Sequence, residues 1–141
     1  MICAVIDTNI ALYGLLWWGQ PAKLLARAQA GEFQILDAES MIFELIRVIN
    51  SCKFKKRFEE LDASPEEALT FYKNLVVFCK QPTKLKIKCK EPDDLIFIEL
   101  VVAESAHFIV SGNSHLLDLQ TVKGIPTLNS RESHQLLDEI Q

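Results

Sequence analysis

The sequence predicts an α/β domain on a mostly parallel sheet of about five strands, and three observations carry that prediction. Apolar runs of strand length alternate with longer stretches of helical period. The first run, ICAVI, is continuously apolar, as a strand covered on both faces is. With 141 residues, 49% of them hydrophobic, the chain has material for one domain over residues 1–141 with a sizeable core. It contains no internal repeat, low-complexity stretch or linker.

ICAVI (2–6) gives the first strand, and two helical stretches follow it. The second starts around Pro21, whose fixed φ suits a first helical turn, and stops at Gly31, a good C-terminal cap. FQILDA (33–38) reads as the second strand, and SMIFELIRVINSCKF (40–54) as a helix with Met41, Leu45, Val48 and Ile49 on one face. KFKKRFEELDA leads to SPEEALTFYKNLVVFCK, where Ser64, Pro65 and Glu67 form a capping-box start to a helix. KLKIKCK (84–90) alternates strictly, with Leu85, Ile87 and Cys89 on one side and four lysines on the other. That pattern predicts a strand with one wet face, at a sheet edge guarded by lysines. DDLIFIELVVAESA (93–106) is helical, HFIVS (107–111) a strand, IPTL (125–128) a last short strand, and SRESHQLLDEI an amphipathic closing helix.

A net charge of −4, taken alone, argues against a nucleic-acid partner, because phosphate binding leaves a basic footprint. The distribution changes that reading. Between Lys53 and Lys90, ten Lys or Arg face five acids, so the chain is a basic segment attached to an acidic remainder. Cys3, Cys52, Cys79 and Cys89 form no Cys-x-x-Cys pair and have no His at zinc-ligand spacing. They read as reduced thiols near the core of a cytosolic protein. MICAVIDTN has no basic leader and reaches an acid at position 7, which excludes a signal peptide. No apolar run approaches the ~20 residues that span a bilayer. A soluble, cytoplasmic protein without a membrane partner is expected.

Asp7 directly follows the first strand and precedes Thr8 and Asn9. In a parallel sheet, a residue just past a strand's C-terminal end projects into the crevice where such folds place their sites; an Asp there also serves as a helix cap. Glu44 lies inside the apolar helix run MIFELI, either at its solvent edge or pointing into a polar cleft. Asp93 and Asp94 open a helix, where a carboxylate is also favoured by the positive end of the macrodipole. The loop SGNSH follows the strand HFIVS and reaches the same crevice as Asp7. Three acids from distant segments and a polar loop would then converge at one sheet edge. Clustered carboxylates repel one another unless a hard divalent cation neutralises them, and Mg²⁺ or Mn²⁺ with oxygen ligands is the usual solution. Such an ion activates water and clamps a phosphodiester. Lys53, Lys55, Lys56 and Arg57 are placed to hold an RNA backbone beside such a site, although an ordinary solvated face gives the same pattern. Trp17 and Trp18 would serve to stack on bases, to pack, or to make a dimer contact. His107 and His134 show no partner in sequence.

With VIDTNI, FEL, EPDD and IVSGNSHLL in this order, the chain resembles a PIN domain, and within that family the bacterial toxin components related to the VapC toxins. The resemblance runs nearly end to end, through VIDTNIALYGLLWWGQPAKLL, ESMIFELIRVI, CKFKKRF, EPDDLIFIELVVAESAHFIVSGNSHLL and GIPTLNSRESHQLL. It implies a three-layer α/β/α sandwich, metal-dependent ribonuclease activity, inhibition by a small antitoxin encoded beside it, and a homodimer. Residue by residue, it implies Asp7 as the first family acid, with Thr8 and Asn9 supporting. Glu44 matches the second acid and Asp94 the third, with Asp93 an adjacent alternative. The fourth position departs from the pattern. The family has an acid directly after the strand's Ser-Gly or Thr-Gly, here Ser111-Gly112, and often another two residues later, and those places hold Asn113 and His115.

An amide oxygen still ligates a hard cation but brings no charge, so metal affinity should fall more than geometry changes. His115 either places a cation near the phosphate when protonated or faces solvent, and Asp118, one turn past Ser114, is a candidate substitute acid. Two functions follow: an active Mg²⁺- or Mn²⁺-dependent ribonuclease, and a degenerate PIN module that binds RNA or a protein without cutting. A phosphatase of the haloacid-dehalogenase type would need a second Asp where Asn9 stands. A receiver domain would need a mid-chain phosphoacceptor Asp and a late Lys, and neither is evident.

Overall fold

A computed structural model describes residues 1–80 and 95–140, without the side chains of Ile96, Ser114 and His115. The strand expected at 84–90 and the acids Asp93 and Asp94 lie outside the described residues. In chain order the elements are β1 (Cys3–Ile6), α1 (Thr8–Leu16), α2 (Gln20–Gln29), β2 (Gln34–Asp37), α3 (Glu39–Ile49), a 3₁₀ turn (Cys52–Phe54), α4 (Lys55–Leu61), α5 (Pro65–Leu75) and β3 (Val77–Phe78). They continue with α6 (Leu95–Ala103), β4 (Phe108–Val110), α7 (Ser114–Leu117), β5 (Thr121–Val122), β6 (Ile125–Leu128) and α8 (Ser130–Ile140). The described strands form a six-stranded sheet in the order β3-β2-β1-β4-β6-β5. It is parallel except for the β5–β6 pair.

Successive strand side chains point to opposite faces, and β1 uses this to separate two apolar layers. Ala4 and Ile6 join Ile35, Phe108 and Val110 on the face covered by α1, α2, α3, α5 and α8, which contribute Leu12, Leu24, Leu45, Leu69 and Leu137. Val5 joins Leu36 and Ile109 on the other face, covered by Phe97, Ile98, Leu100 and Val101 of α6 and by Leu116 of α7. The result is the three-layer α/β/α sandwich. Within the first layer α1 and α2 approach closely at Gly14, where an added Cβ would stand 2.7 Å from Leu25 Cδ1 and 3.0 Å from the Pro21 carbonyl oxygen. Gly31 sits just past α2 at φ 85°, a backbone conformation that favours glycine.

Three features differ from the sequence expectation. The helix beginning with the Ser64 cap ends at Leu75, and Val77 and Phe78 pair in parallel with Leu36 and Asp37 as β3. β-Branched and aromatic residues favour this extended state once a strand edge is beside them. The stretch 40–54 is one helix only to Ile49, with a separate 3₁₀ turn after it. β5 and β6 form a hairpin across Lys123 and Gly124, both at positive φ (51° and 82°), the geometry of a two-residue hairpin turn.

α8 is fastened to α2 by Arg27, which donates to the His134 carbonyl oxygen at 3.0 Å and ion-pairs with Asp138, while Leu137 is fully buried below it. Leu137→Ala should therefore cost about 2–5 kcal/mol, and Ile140→Ala, at an exposed position, less than about 0.5 kcal/mol. Urea unfolding midpoints of the two variants check the contrast.

Candidate active site

β1 delivers Asp7 to the C-terminal edge of the sheet, and its backbone N–H continues the ladder to the Val110 carbonyl at 3.0 Å. The side chain is 5% exposed. Its Oδ1 accepts the Ile10 N–H at 2.9 Å, so Asp7 is the N-cap of α1. Its Oδ2 accepts the hydroxyl of Ser111, which is itself fully buried. The cap role and the crevice position are thus both realised by the same carboxylate, and Ser111 ties it to the loop after β4.

Thr8, the next residue, donates its hydroxyl to Glu44 Oε2 at 3.0 Å. This draws Glu44 to the start of α1, although it lies in the middle of α3. Arg47 Nη2 stands 3.9 Å from Glu44 Oε1 and is largely exposed, a weak ion pair. In the loop, the Asn113 N–H donates to Ser111 Oγ at 2.8 Å, and its carbonyl accepts the Leu117 N–H at 3.0 Å. Asn113 is half-buried and opens α7, while Asn9 and Asp118 are exposed. The structure thus brings together Asp7, Thr8, Glu44, Ser111 and the Asn113 backbone. Asp93 and Asp94 lie outside the described residues. Among the described residues, no three of His, Cys, Asp or Glu stand close enough to hold a metal ion.

The sequence reading missed Asp37. It ends β2 beside β1, is 2% exposed, and shares a void of about 10 Å³ with Asp7, Thr8, Met41 and Tyr72. Burial raises its pKa from 3.8 to about 7, against the opposing hydrogen bond from the Ala38 N–H. The buried Tyr72 phenol is pushed well above its ordinary value, first by burial and then by the charges of Asp37 and Asp7. The signal was available: FQILDA places an acid at the end of an apolar strand, just as AVID does.

The four cations after α3 divide. Arg57 is held in place: its Nε donates to the Leu16 carbonyl at 2.7 Å, its Nη1 bonds Glu60 Oε2 at 3.3 Å, and its guanidinium lies 5.1 Å from the Trp17 ring centroid. Lys53, Lys55 and Lys56 are exposed, Lys53 with its Nζ 5.4 Å from the Phe54 ring. Arg57, and Lys53 through Phe54, stand at the end of α1 opposite Asp7.

Ser111→Ala removes the hydroxyl donor to a buried carboxylate and the acceptor for the Asn113 N–H. It should lower stability by about 1–3 kcal/mol, read as a lower denaturant midpoint with unchanged slope. Asp37 predicts a pH effect. Its folded pKa lies above its unfolded one, so the folded chain holds the extra proton between about pH 4 and pH 7. The stability this gives is complete below the unfolded pKa and is lost as pH rises through about 7. Asp37→Asn keeps the acceptor for Ala38 and cannot ionise. The thermal midpoint of the variant should gain on that of the natural protein between pH 5 and pH 8, and a constant difference would contradict a buried titrating Asp37.

A family model described as a PIN domain matches residues 3–115, a span that includes Asp7, Glu44, Ser111 and Asn113. Among solved structures, the chain is similar to VapBC2 from Rickettsia felis bound to a DNA fragment from their promoter. The TM-score is 0.62 at 16% identity, covering 91% of this chain and 98% of that chain. At that identity the likeness is one of fold. A comparison with curated proteins finds no match. Because the family match runs through β1, α3, β4 and the loop that joins them at one sheet edge, the chain belongs to the PIN domain family.

Proposed function

We propose that the chain is a Mg²⁺- or Mn²⁺-dependent endoribonuclease of the PIN toxin type, with Asp7, Glu44 and Asp94 as its metal-holding acids and Asn113 as a neutral fourth member. The observation that carries this reading is the meeting of Asp7 and Glu44 through Thr8 at the C-terminal edge of a parallel sheet. The donors fit a hard cation: both are carboxylates, and the Cys3–His107 pair, with Sγ and Nδ1 3.6 Å apart, is at the other end of β1. Mg²⁺ or Mn²⁺ bound there would supply an activated water and charge neutralisation at the phosphodiester.

The protein's own groups do the positioning. Ile10 N–H and Ser111 O–H hold the two oxygens of Asp7, so the carboxylate needs little reorganisation to receive an ion. Thr8 fixes one oxygen of Glu44, with Asn9 and Asp93 as further supporting residues. Lys53, Lys55, Lys56 and Arg57 supply the positive field for an RNA strand. The similarity in fold to the Rickettsia felis VapBC2 protein supports extending the reading to a cognate antitoxin partner, and a homodimer and a cytoplasmic location belong to the same reading. No helix among the described residues is long and apolar enough to cross a membrane.

One observation favours a second reading, a PIN module that binds RNA or protein without cutting. The position where the family has its fourth acid is Asn113, whose N–H and carbonyl serve the loop and α7. Cleavage of single-stranded RNA with added Mn²⁺ separates the two readings. The natural protein should cut, Asp7→Asn and Glu44→Gln should each lose activity on the order of a hundredfold or more, and Asn113→Asp should cut at lower Mn²⁺. If the natural protein is as silent as Asp7→Asn while Asn113→Asp cuts, the enzyme reading is wrong and the binding module is right.

A further inference from the structure

Trp18 is 93% exposed, an unusual state for the largest apolar side chain. It sits at the end of an uncommon helix. From Thr8 to Leu16, α1 contains no charged residue, and four-residue spacing puts Asn9, Tyr13 and Trp17 on one face. Asn9 is exposed two residues from Asp7, and Tyr13 is 43% exposed. The Tyr13 and Trp17 ring centroids are 5.4 Å apart, and Phe54 backs Trp17 edge-on at 6.3 Å. Arg57 lies against the Trp17 ring and Lys53 against Phe54. Three aromatic residues, Tyr13, Trp17 and Trp18, therefore follow one another from the second half of α1 to just past its end, beginning about 9 Å along the helix from Asp7 and ending at Arg57 and Lys53.

We infer that Tyr13 and Trp18 are base-stacking residues of a track that holds unpaired RNA nucleotides leading into the Asp7 site, with Lys53 and Arg57 beside them for the phosphates. The substrate in this inference rests on the ribonuclease reading; the track itself rests on the exposed rings. Single-stranded nucleic acid is recognised by this combination, because every base has a face to stack and every nucleotide a charge to neutralise. Trp17 is the support, fixed by Phe54 and Arg57, and Tyr13 and Trp18 present the open rings. An α1 free of acids puts no like charge in the path of the phosphates. Trp18 also borders an apolar cleft of about 480 Å³ lined by Leu25, Phe58, Leu61 and Phe71, so a protein contact at Trp18 is the competing occupant the test must separate.

The test uses the whole chain in EDTA, so that binding is measured apart from cutting. An unstructured 12-nucleotide oligouridine and a duplex RNA of equal length are titrated by fluorescence anisotropy, with tryptophan emission followed in parallel. Trp18→Ala and Tyr13→Leu should each weaken single-strand binding about tenfold, with Trp18→Phe and Tyr13→Phe restoring most of it. Duplex binding should be unchanged, and single-strand binding should quench tryptophan emission in the natural protein. Thermal midpoints show that each variant is folded. The track is overturned if the Ala and Leu variants bind the single strand as the natural protein does, if single strand and duplex weaken equally, or if the natural protein binds no RNA. It is equally overturned if Trp18→Ala changes the sedimentation coefficient while RNA binding holds, which would make Trp18 a protein contact. The two readings fail separately. Tight stacking without Mn²⁺-dependent cleavage leaves the track and removes the nuclease, whereas cleavage indifferent to Tyr13 and Trp18 leaves the nuclease and removes the track.

Discussion

The buried carboxylate of Asp7 is the constraint on which the rest of the site depends. A carboxylate withdrawn from water is costly unless its oxygens are hydrogen-bonded, and here each oxygen has a donor from a different element: Ile10 N–H from α1 and the Ser111 hydroxyl from the loop after β4. Satisfying that one group fixes the exit angle of α1 and the path of residues 111–113, and hence the start of α7. It also fixes Thr8, through which α3 presents Glu44. Local geometry that could have been a simple helix cap thereby joins three separate segments of the sandwich.

Apart from Arg47, which pairs weakly with Glu44, charge is divided between the two ends of α1. Asp7 and Glu44 stand at its first turn, and Arg57 is bonded to the carbonyl of its last residue. A separation of about 12 Å along an uncharged helix exceeds the Debye length of about 8 Å at physiological salt, so Arg57 does not neutralise the carboxylates at the other end. The net charge of −4 conceals this polarity. Behind the acids, Asp37 and Tyr72 form a second buried layer, in which burial favours the neutral form of both groups.

Much of this was legible in the sequence, for physical reasons that differ by element. ICAVI and HFIVS announced themselves because strands covered on both faces are apolar at every position, and IPTL and the closing helix fall at the residues expected. Asp7 and Ser111 were legible because they follow such strands directly. Asp37 was hidden within FQILDA, where a strand-end acid looked like the last residue of the run, and its perturbed proton affinity depends on packing that no spacing encodes. The short strand Val77–Phe78 was masked by an apolar stretch continuous with its helix, and short apolar runs do not distinguish the two states. The separation of Arg57 from the three lysines beside it depends on the Leu16 carbonyl and the Trp17 ring, which lie some 40 residues away in the chain.

The place of β1 in the sheet also sets an order in time. β1 precedes both of its neighbours, β2 and β4, in the chain, and the hydroxyl that completes Asp7 belongs to a residue 104 positions later. Pairings of such long range form only after a large loop has closed. A chain made in this order presents Asp7 and Glu44 before Ser111 is there to bond, and the pocket is assembled only when β4 docks. Late closure of this kind makes the geometry around Asp7 and Glu44 a property of the domain as a whole rather than of its first half.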